Sequence, residues 1–155
     1  MTLTIRDART EDEAAWRQLW AGYTHFYGAP IPEAVTQHTW QRALDPAMPV
    51  IIRLAHTANT IVGFSLSILH EGSWVTTPIC YLEDLFVDPA YRGQGIGKAL
   101  LQAATSALHA IGIDKTHLMV LADNADAMAF YRHLGWSDRS DVRLFSYTSS
   151  GNQNS

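Results

Sequence analysis

Apolar residues recur along this chain with two periods, every second residue in some segments and every third or fourth in others. The first period is typical of half-buried strands and the second of amphipathic helices. Segments rich in glycine, proline and asparagine separate them. These signals predict, in chain order, a strand at 2–9, helices at about 11–27 and 32–44, strands at 50–56, 60–70 and 79–87, a helix from a glycine-rich turn to about 111, a strand at 116–121, a helix at 127–134 and a last strand at 143–147.

The first predicted helix has signals at both ends and an aromatic stripe along one face. Thr10 and Glu13 form a capping-box pattern at its start, and Gly28 followed by Pro30 predicts its end. The stripe lies at helical spacing and is most simply a core-packing surface. Its members are Trp16, Trp20, Tyr23 and Tyr27.

Strands and helices in this order predict an α/β (α+β) mixed sheet with helices on both faces. The 155 residues, 47% hydrophobic and 17% charged, fit one soluble globular domain, which we place at 1–148 with a disordered tail at 149–155. No apolar run is long enough to span a membrane, and the N-terminus lacks a signal-peptide pattern. One cysteine, Cys80, fits a reducing compartment, so we expect a cytoplasmic protein. The net charge of −4 argues against nucleic acid as a partner.

One stretch, Tyr81 to Lys98, joins a predicted strand, a glycine-rich turn and the start of a helix. Free backbone N–H groups and the helix dipole there would converge on one point and favour an anion, most often a phosphate. The glycines fit neither the dinucleotide fingerprint nor a nucleoside-triphosphate loop, since Lys98 is followed by Ala99. The turn alone leaves a phosphate site and a glycine turn without ligand as alternatives.

Two motifs then resemble the GCN5-related N-acetyltransferase (GNAT) superfamily. The turn from Arg92 to Gly97 resembles its acyl-CoA motif, Arg/Gln-x-x-Gly-x-Gly/Ala. The segment from Asn124 to Trp136 resembles the second signature, Asn-x-x-Ala-x-x-Phe-Tyr-x-x-x-Gly-Phe, with Met128 where a small residue is usual. Their order and spacing also match. The resemblance implies a single-domain GNAT-like fold, with a mostly antiparallel sheet and a splayed parallel pair, and an acetyl-CoA-dependent enzyme.

The resemblance also implies a cofactor site. The strand ending at Val87 would bulge, splay from its neighbour and pair its backbone with pantetheine, while the turn would hold pyrophosphate. Asn124 would touch pantetheine, and Arg92 would either contact the cofactor or only fix the turn. The implied cofactor-binding residues are Leu85, Phe86, Val87, Arg92, Gly93, Gln94, Gly95, Ile96, Gly97, Lys98, Asn124, Ala127 and Tyr131.

Two catalytic residues follow from the same resemblance. Tyr131 occupies the general-acid position and would protonate the departing thiolate of coenzyme A, although Phe130 and Tyr131 also fit core aromatics. Glu83 is the candidate base that takes a proton from the ammonium. Strand alternation sets Glu83 apart from Asp84, so only one of the two acids is expected to face the acyl group. Asp84 would then bind substrate or a neighbouring helix.

The sequence leaves the class of the acceptor open between a small molecule and a protein. The segment around Glu83 most resembles the diamine (spermidine/spermine) and histone/polyamine acetyltransferases. This resemblance and the acidic net charge favour direct transfer to the primary amine of a small cationic molecule, a polyamine or an amino acid. A protein lysine or N-terminus is the alternative, followed by a non-catalytic acyl-CoA sensor. Trp20, Tyr23 and Tyr27 would line the acceptor pocket if they are not core. The histidines show no metal-ligand spacing, so no metal is expected, and Cys80 is interpreted as a buried strand residue. The resemblance implies a homodimer, which the predicted strand at 143–147 would build.

Overall fold

The computed structural model describes residues 2–149, so the tail predicted at 149–155 lies outside the described residues beyond its first position. Residues 2–119 and 120–149 form two compact units. In chain order the elements are β1 (Leu3–Asp7), α1 (Glu13–Phe26), α2 (Glu33–Leu44), β2 (Val50–Thr57), β3 (Thr60–His70), β4 (Ile79–Val87), α3 (Ile96–His109), β5 (Thr116–His117) and α4 (Ala125–His133), with 3-10 turns at Thr10–Asp12 and Pro89–Tyr91.

The first unit is built on a five-stranded sheet whose strands lie in chain order. The first four strands are antiparallel, and β5 runs parallel to β4. That parallel pairing is limited to Cys80 with Thr116 and Tyr81 with His117. Beyond Tyr81, this edge of β4 has no strand partner among the described residues. The predicted mixed sheet with one splayed parallel pair is therefore confirmed.

Helices cover both faces of the sheet, as predicted. On one face, α1 and α2 bury Trp16 and Trp40, whose rings stack 5.1 Å apart, against Phe64 of β3. On the other face, α3 buries Ile96 and Leu100 against the sheet. The period-3.6 pattern of α1 and α3 arises from this burial, because each helix removes one apolar stripe from water.

A β-bulge in β4 changes which side chains reach which face. Leu66 pairs with Asp84 while Ser67 pairs with Leu82, so Glu83 is the extra residue. Before the bulge, Cys80 packs with the core under α3. After it, Phe86 packs with the core under α1 and α2. Regular alternation would place Cys80 and Phe86 on the same face, because they are an even number of residues apart. Strict alternation therefore does not hold across Glu83.

The start of α1 differs from the predicted capping box. Asp12, and not Glu13, accepts a hydrogen bond from the backbone N–H three residues earlier, that of Arg9, at 2.8 Å. The Asp12 carboxylate is buried and forms an ion pair with Arg6 of β1 at 2.7 Å. The Arg6 hydrogen bond is the main cause that lowers the pKa of Asp12. This pairing places the cap on Asp12, so the prediction for Thr10 and Glu13 is wrong.

Two strand predictions near the C-terminus also fail. The strand predicted at 116–121 has only two residues, Thr116 and His117. The segment 143–147 has no regular secondary structure, and Phe145 is 90% exposed. Its alternating, aromatic-rich pattern favours a strand, but a strand needs a neighbour to accept its backbone hydrogen bonds. No described strand pairs with it.

The second unit contains α4 and the turn that ends it. Asn124 caps the helix, since its side-chain oxygen accepts the N–H of Ala127 at 3.1 Å. The ring of Tyr131 lies between those of Phe130 and Trp136, at 5.2 and 5.9 Å between ring centroids. No helix among residues 2–149 is long and apolar enough to cross a membrane.

Candidate functional site

The turn after β4 is held in shape by its own side chains. Asp88 accepts the N–H of Ala90 at 2.9 Å and so fixes the 3-10 turn. Arg92 donates from Nε to the carbonyl oxygen of Val87 at 3.0 Å, and its guanidinium lies 5.4 Å from the centre of the Phe86 ring. These contacts hold Arg92 against the turn, and a direct contact between its guanidinium and the cofactor stays a prediction.

Two glycines give the turn its open inner surface. Gly93 and Gly95 both have φ of +79°, which only glycine adopts without strain. A Cβ at either position would meet no atom within 4 Å, so the space beside the backbone is open. Gly95 directly precedes α3, whose first N–H groups have no acceptor within the helix. This open, N–H-rich surface fits a pyrophosphate group.

The unpaired edge of β4 provides a second extended surface. From Leu82 to Val87 no described strand pairs with β4 on the side of β5. The side chains of Leu85 and Val87 pack under α3, and Phe86 packs on the opposite face. An unpaired strand edge presents N–H and C=O groups that can pair with an extended ligand such as pantetheine.

A cavity of about 520 Å³ lies within the first unit, between α1, α2 and the sheet. Its volume falls in the range of small-molecule sites. All four predicted substrate-binding residues line it, together with the predicted base Glu83. The lining residues are Trp20, Tyr23, Thr24, Tyr27, Ala29, Ile31, Val35, Thr39, Arg42, Val50, Leu66, Ile68, Glu83 and Asp84.

The aromatic stripe of α1 divides between the core and this cavity. Trp16 is fully buried and belongs to the core alone. Trp20 and Tyr23, one and two helical turns further on, are half-buried and line the cavity, and their rings stack 5.7 Å apart. Trp20 also donates from Nε1 to Thr36 of α2 at 3.0 Å. Tyr27, which is 45% exposed, continues the stripe to the end of the helix. Trp20 and Tyr23 therefore pack against the core and also line the cavity, while their contact with an acceptor stays a prediction.

Because of the bulge, the neighbouring carboxylates of Glu83 and Asp84 line the same cavity. Regular strand alternation predicted that they would lie on opposite faces. Glu83 is exposed, whereas Asp84 is only 8% exposed and accepts a hydrogen bond from the Tyr23 hydroxyl. Burial raises the pKa of Asp84 to about 6, the hydrogen bond from Tyr23 opposes this shift, and the charge of Glu83 adds to it. Burial, with the nearby Asp84 charge, also raises the pKa of Tyr23. Both acids therefore line the cavity, and the expectation that only one of them faces the acyl group stays a prediction.

One lining residue, Arg42 of α2, was not singled out from the sequence. Its side chain is half-buried and donates to Thr39 Oγ1 at 3.2 Å and to the His38 carbonyl at 3.4 Å. The available signal was the i, i+4, i+7 spacing of Val35, Thr39 and Arg42. That signal is weak, since arginine is common in the last turn of a helix.

Three other predicted site residues, Asn124, Ala127 and Tyr131, lie together on α4 and its cap in the second unit. The oxygen of Asn124 is used by the cap, which leaves its amide NH₂ for a ligand. Tyr131 is half-buried within its aromatic group.

Cys80 is fully buried in a strand, as interpreted from the sequence, and burial raises the pKa of its thiol. Within residues 2–149, no three His, Cys, Asp or Glu side chains cluster as metal ligands would.

Comparisons with known proteins agree with this architecture. The family model of the acetyltransferase (GNAT) family matches residues 13–136, which span both units. The D-amino-acid N-acetyltransferase HPA3 of Saccharomyces cerevisiae is 26% identical over 136 residues, covering 86% of this chain and 84% of that protein. The thialysine N-epsilon-acetyltransferase of Bos taurus is 36% identical over 82 residues, covering 53% of this chain and 48% of that protein.

A solved structure shows the same fold with a coenzyme bound. The aminoglycoside N-acetyltransferase AAC(6')-Iy in complex with CoA superimposes with a TM-score of 0.76 at 19% identity, covering 96% of this chain and 95% of that one. The glycine turn and the open strand edge described above fit such a coenzyme. Sequence match, fold and cofactor surface agree, and the chain belongs to the GNAT family as an N-acetyltransferase with acetyl-CoA as its acyl donor.

Proposed function

We propose that this enzyme transfers the acetyl group directly to the primary amine of a small cationic molecule bound in the cavity of the first unit. The observation that carries the proposal is the composition of that cavity. Aromatic rings of Trp20, Tyr23 and Tyr27 line it together with the carboxylates of Glu83 and Asp84. Aromatic faces and carboxylates are the two groups that bind an ammonium ion.

The donor side of the proposed site consists mainly of backbone. The N–H groups from Gly93 to Lys98 hold the pyrophosphate, since the N–H of Arg92 already donates to the Pro89 carbonyl at 3.5 Å. The open edge of β4 from Leu85 to Val87 pairs with the pantetheine arm. The family resemblance also assigns Asn124 and Ala127, at the start of α4 in the second unit, to the cofactor. When bound, acetyl-CoA supplies an activated acetyl thioester, and the role of the turn and of the β4 edge is to hold its reactive end near the cavity.

On the acceptor side, the amine must lose a proton before it can attack. An alkylammonium group has a pKa of about 10.4 in water, so a nearby base is required near neutral pH. Glu83 is exposed at the bulge and can take this proton and release it to solvent. Asp84 is buried and hydrogen-bonded to Tyr23, which suits it to bind and orient the ammonium.

The departing thiolate also requires a proton, and we assign this role to Tyr131. A phenol is a weak acid that can donate a proton at neutral pH while remaining mostly protonated itself. The assignment is supported by the match of Asn124 to Trp136 with the family's second signature.

A small molecule is favoured over a protein as acceptor. The cavity volume of about 520 Å³ suits a ligand of that size. The names of the relatives describe enzymes that act on D-amino acids, thialysine and aminoglycosides, all small molecules. The likeness to the thialysine enzyme also supports the predicted similarity to diamine acetyltransferases, because thialysine carries an amine at the end of its side chain.

The test is a thiol-release assay with acetyl-CoA and a panel of amines. We expect release with small primary amines, such as diamines, polyamines and amino acids, and much slower release with a lysine-containing basic peptide. Faster turnover of the peptide would favour the protein-acceptor alternative. Tight binding of acetyl-CoA without release by any amine would favour a sensor.

A further inference from the structure

The cavity that contains the two carboxylates also contains a guanidinium. Arg42 is half-buried, lines the cavity and has no carboxylate within 4.0 Å among the described residues. Removing part of a guanidinium from water is costly unless hydrogen bonds or an opposite charge compensate for it. An ammonium-binding cavity has no need of a cation, so the presence of Arg42 requires another explanation.

The geometry of α2 holds this guanidinium toward the cavity. Val35, Thr39 and Arg42 lie at i, i+4 and i+7, on one face of the helix, and all three line the cavity. The hydrogen bonds to Thr39 Oγ1 and the His38 carbonyl use Nη2 and Nε and restrict the side chain. Nη1 has no hydrogen-bond acceptor among residues 2–149 and remains able to donate to a ligand in the cavity.

Opposite charges therefore lie in one cavity without neutralising each other. No ion pair within 4.0 Å joins Arg42 to Glu83 or Asp84. Asp84 lies opposite Leu66 in the sheet, whereas Arg42 lies in the last turn of α2, the helix that packs on β2. A ligand with a positive and a negative group at separate positions would complement both.

We propose that the acceptor is an amino acid whose carboxylate pairs with Arg42 and whose reacting amine lies at the far end of its side chain, as in lysine. The proposal rests on the proposed function and names its substrate class. Planar guanidinium groups bind carboxylates well, often through two hydrogen bonds. The α-amine and the carboxylate of an amino acid are attached to the same carbon atom, so the α-amine would remain beside Arg42. A terminal amine instead extends away from Arg42 into the rest of the cavity, which Glu83 and Asp84 also line.

A purely structural role for Arg42 is the alternative, because a cation near a helix C-terminus interacts favourably with the helix dipole. The two roles differ in what they predict for substrates. A structural arginine affects all acceptors equally, whereas a carboxylate-binding arginine affects only acceptors that have a carboxylate.

The experiment compares lysine with 1,5-diaminopentane, which is lysine without its carboxylate, as acceptors in the thiol-release assay. We expect the wild-type enzyme to use lysine at least about tenfold better in kcat/KM, the value of about one charge-assisted hydrogen bond. Arg42→Gln should raise the KM for lysine by a similar factor and leave diaminopentane unchanged. Arg42→Lys should restore part of the preference, since it keeps the charge and loses the planar fork.

Gln41→Ala, an exposed neighbour on the same helix and outside the cavity, is the matched control and should leave both substrates unchanged. Equal or better use of diaminopentane by the wild type, or an equal loss for both substrates in Arg42→Gln, would overturn the inference and leave the proposed function intact. The inference would also be overturned, with the proposed function intact, if the enzyme used other amines but neither lysine nor diaminopentane. If no amine in the wider panel releases thiol, the proposed function itself fails.

Discussion

At the scale of single residues, Asp84 is the side chain whose environment differs most from what its sequence position suggests. It is 8% exposed, hydrogen-bonded to Tyr23 and next to the charge of Glu83. Burial raises its pKa from 3.8 to about 6, so its ionised form is unfavourable in the folded protein. Strain of this kind is common where a protein keeps a charge for function.

This raised pKa predicts a pH-dependent stability. Between about pH 4 and 6 the folded protein holds a proton on Asp84 that the unfolded chain has lost, so the free energy of unfolding decreases as the pH rises through this range. Asp84→Asn should therefore stabilise the protein at pH 7 by up to about 3 kcal/mol and have little effect at pH 4. Urea denaturation at both pH values measures this. Equal effects at pH 4 and 7 would contradict the raised pKa.

Glu83 yields a second prediction, on activity. If it accepts the proton of the amine, Glu83→Gln should lower kcat/KM at pH 7 by about 100-fold, with partial recovery at alkaline pH, where the amine deprotonates without help. The pH profile of thiol release measures this. An unchanged profile would remove Glu83 as the base.

Tyr131 gives a third prediction. Tyr131→Phe removes only the hydroxyl, so it should lower kcat by about 10- to 100-fold and leave the KM for acetyl-CoA within about twofold. Phe130→Leu, which removes a neighbouring aromatic ring without a hydroxyl, is the control for packing. An equal loss in both variants would indicate a packing role for Tyr131.

At the scale of elements, the strand, turn and helix from β4 to α3 were predictable because their signals are local. The bounds of β3 and β4 agree with the predicted strands at 60–70 and 79–87, and the glycine spacing located the turn. The bulge at Glu83 was implied only by the family resemblance. It depends on which residues of β3 pair with β4, and that register is not encoded in the local pattern of either strand.

The turn supports a prediction about cofactor binding. Gly95→Ala forces a non-glycine residue to φ of +79° and places a methyl group in the open space of the turn, so it should cost about 1–2 kcal/mol of stability and raise the KM for acetyl-CoA at least about tenfold. Gly112→Ala is the matched control, with φ of +86° and equally open space but outside the turn. The Gly112→Ala variant should lose a similar amount of stability and keep the wild-type KM for acetyl-CoA. Similar KM values in both variants would argue against a cofactor role for the turn.

At the scale of the whole molecule, the homodimer stays a prediction. In the second unit Leu144, Phe145 and Tyr147 are 74%, 90% and 91% exposed, which is unusual for apolar residues so close in sequence. If this segment mediates dimerisation, light scattering should give a mass near twice 17.2 kDa, and Phe145→Asp should reduce it to 17.2 kDa. A monomeric wild type would refute the prediction.

The sequence by itself determined the family, the acyl donor and most elements, because glycine spacing, capping residues and hydrophobic periods are short-range signals. The family motifs also assigned cofactor residues by position, and these assignments stay predictions. Tertiary structure decided the acceptor cavity, because its residues come from α1, α2, β2, β3 and β4 and meet only after folding. It also decided that Asp84 is buried beside Tyr23 and that Glu83 lies at a bulge. Arg42 lines the same cavity as these two carboxylates for the same reason. These three properties depend on strand register and helix packing, and these are set by contacts between residues distant in the chain.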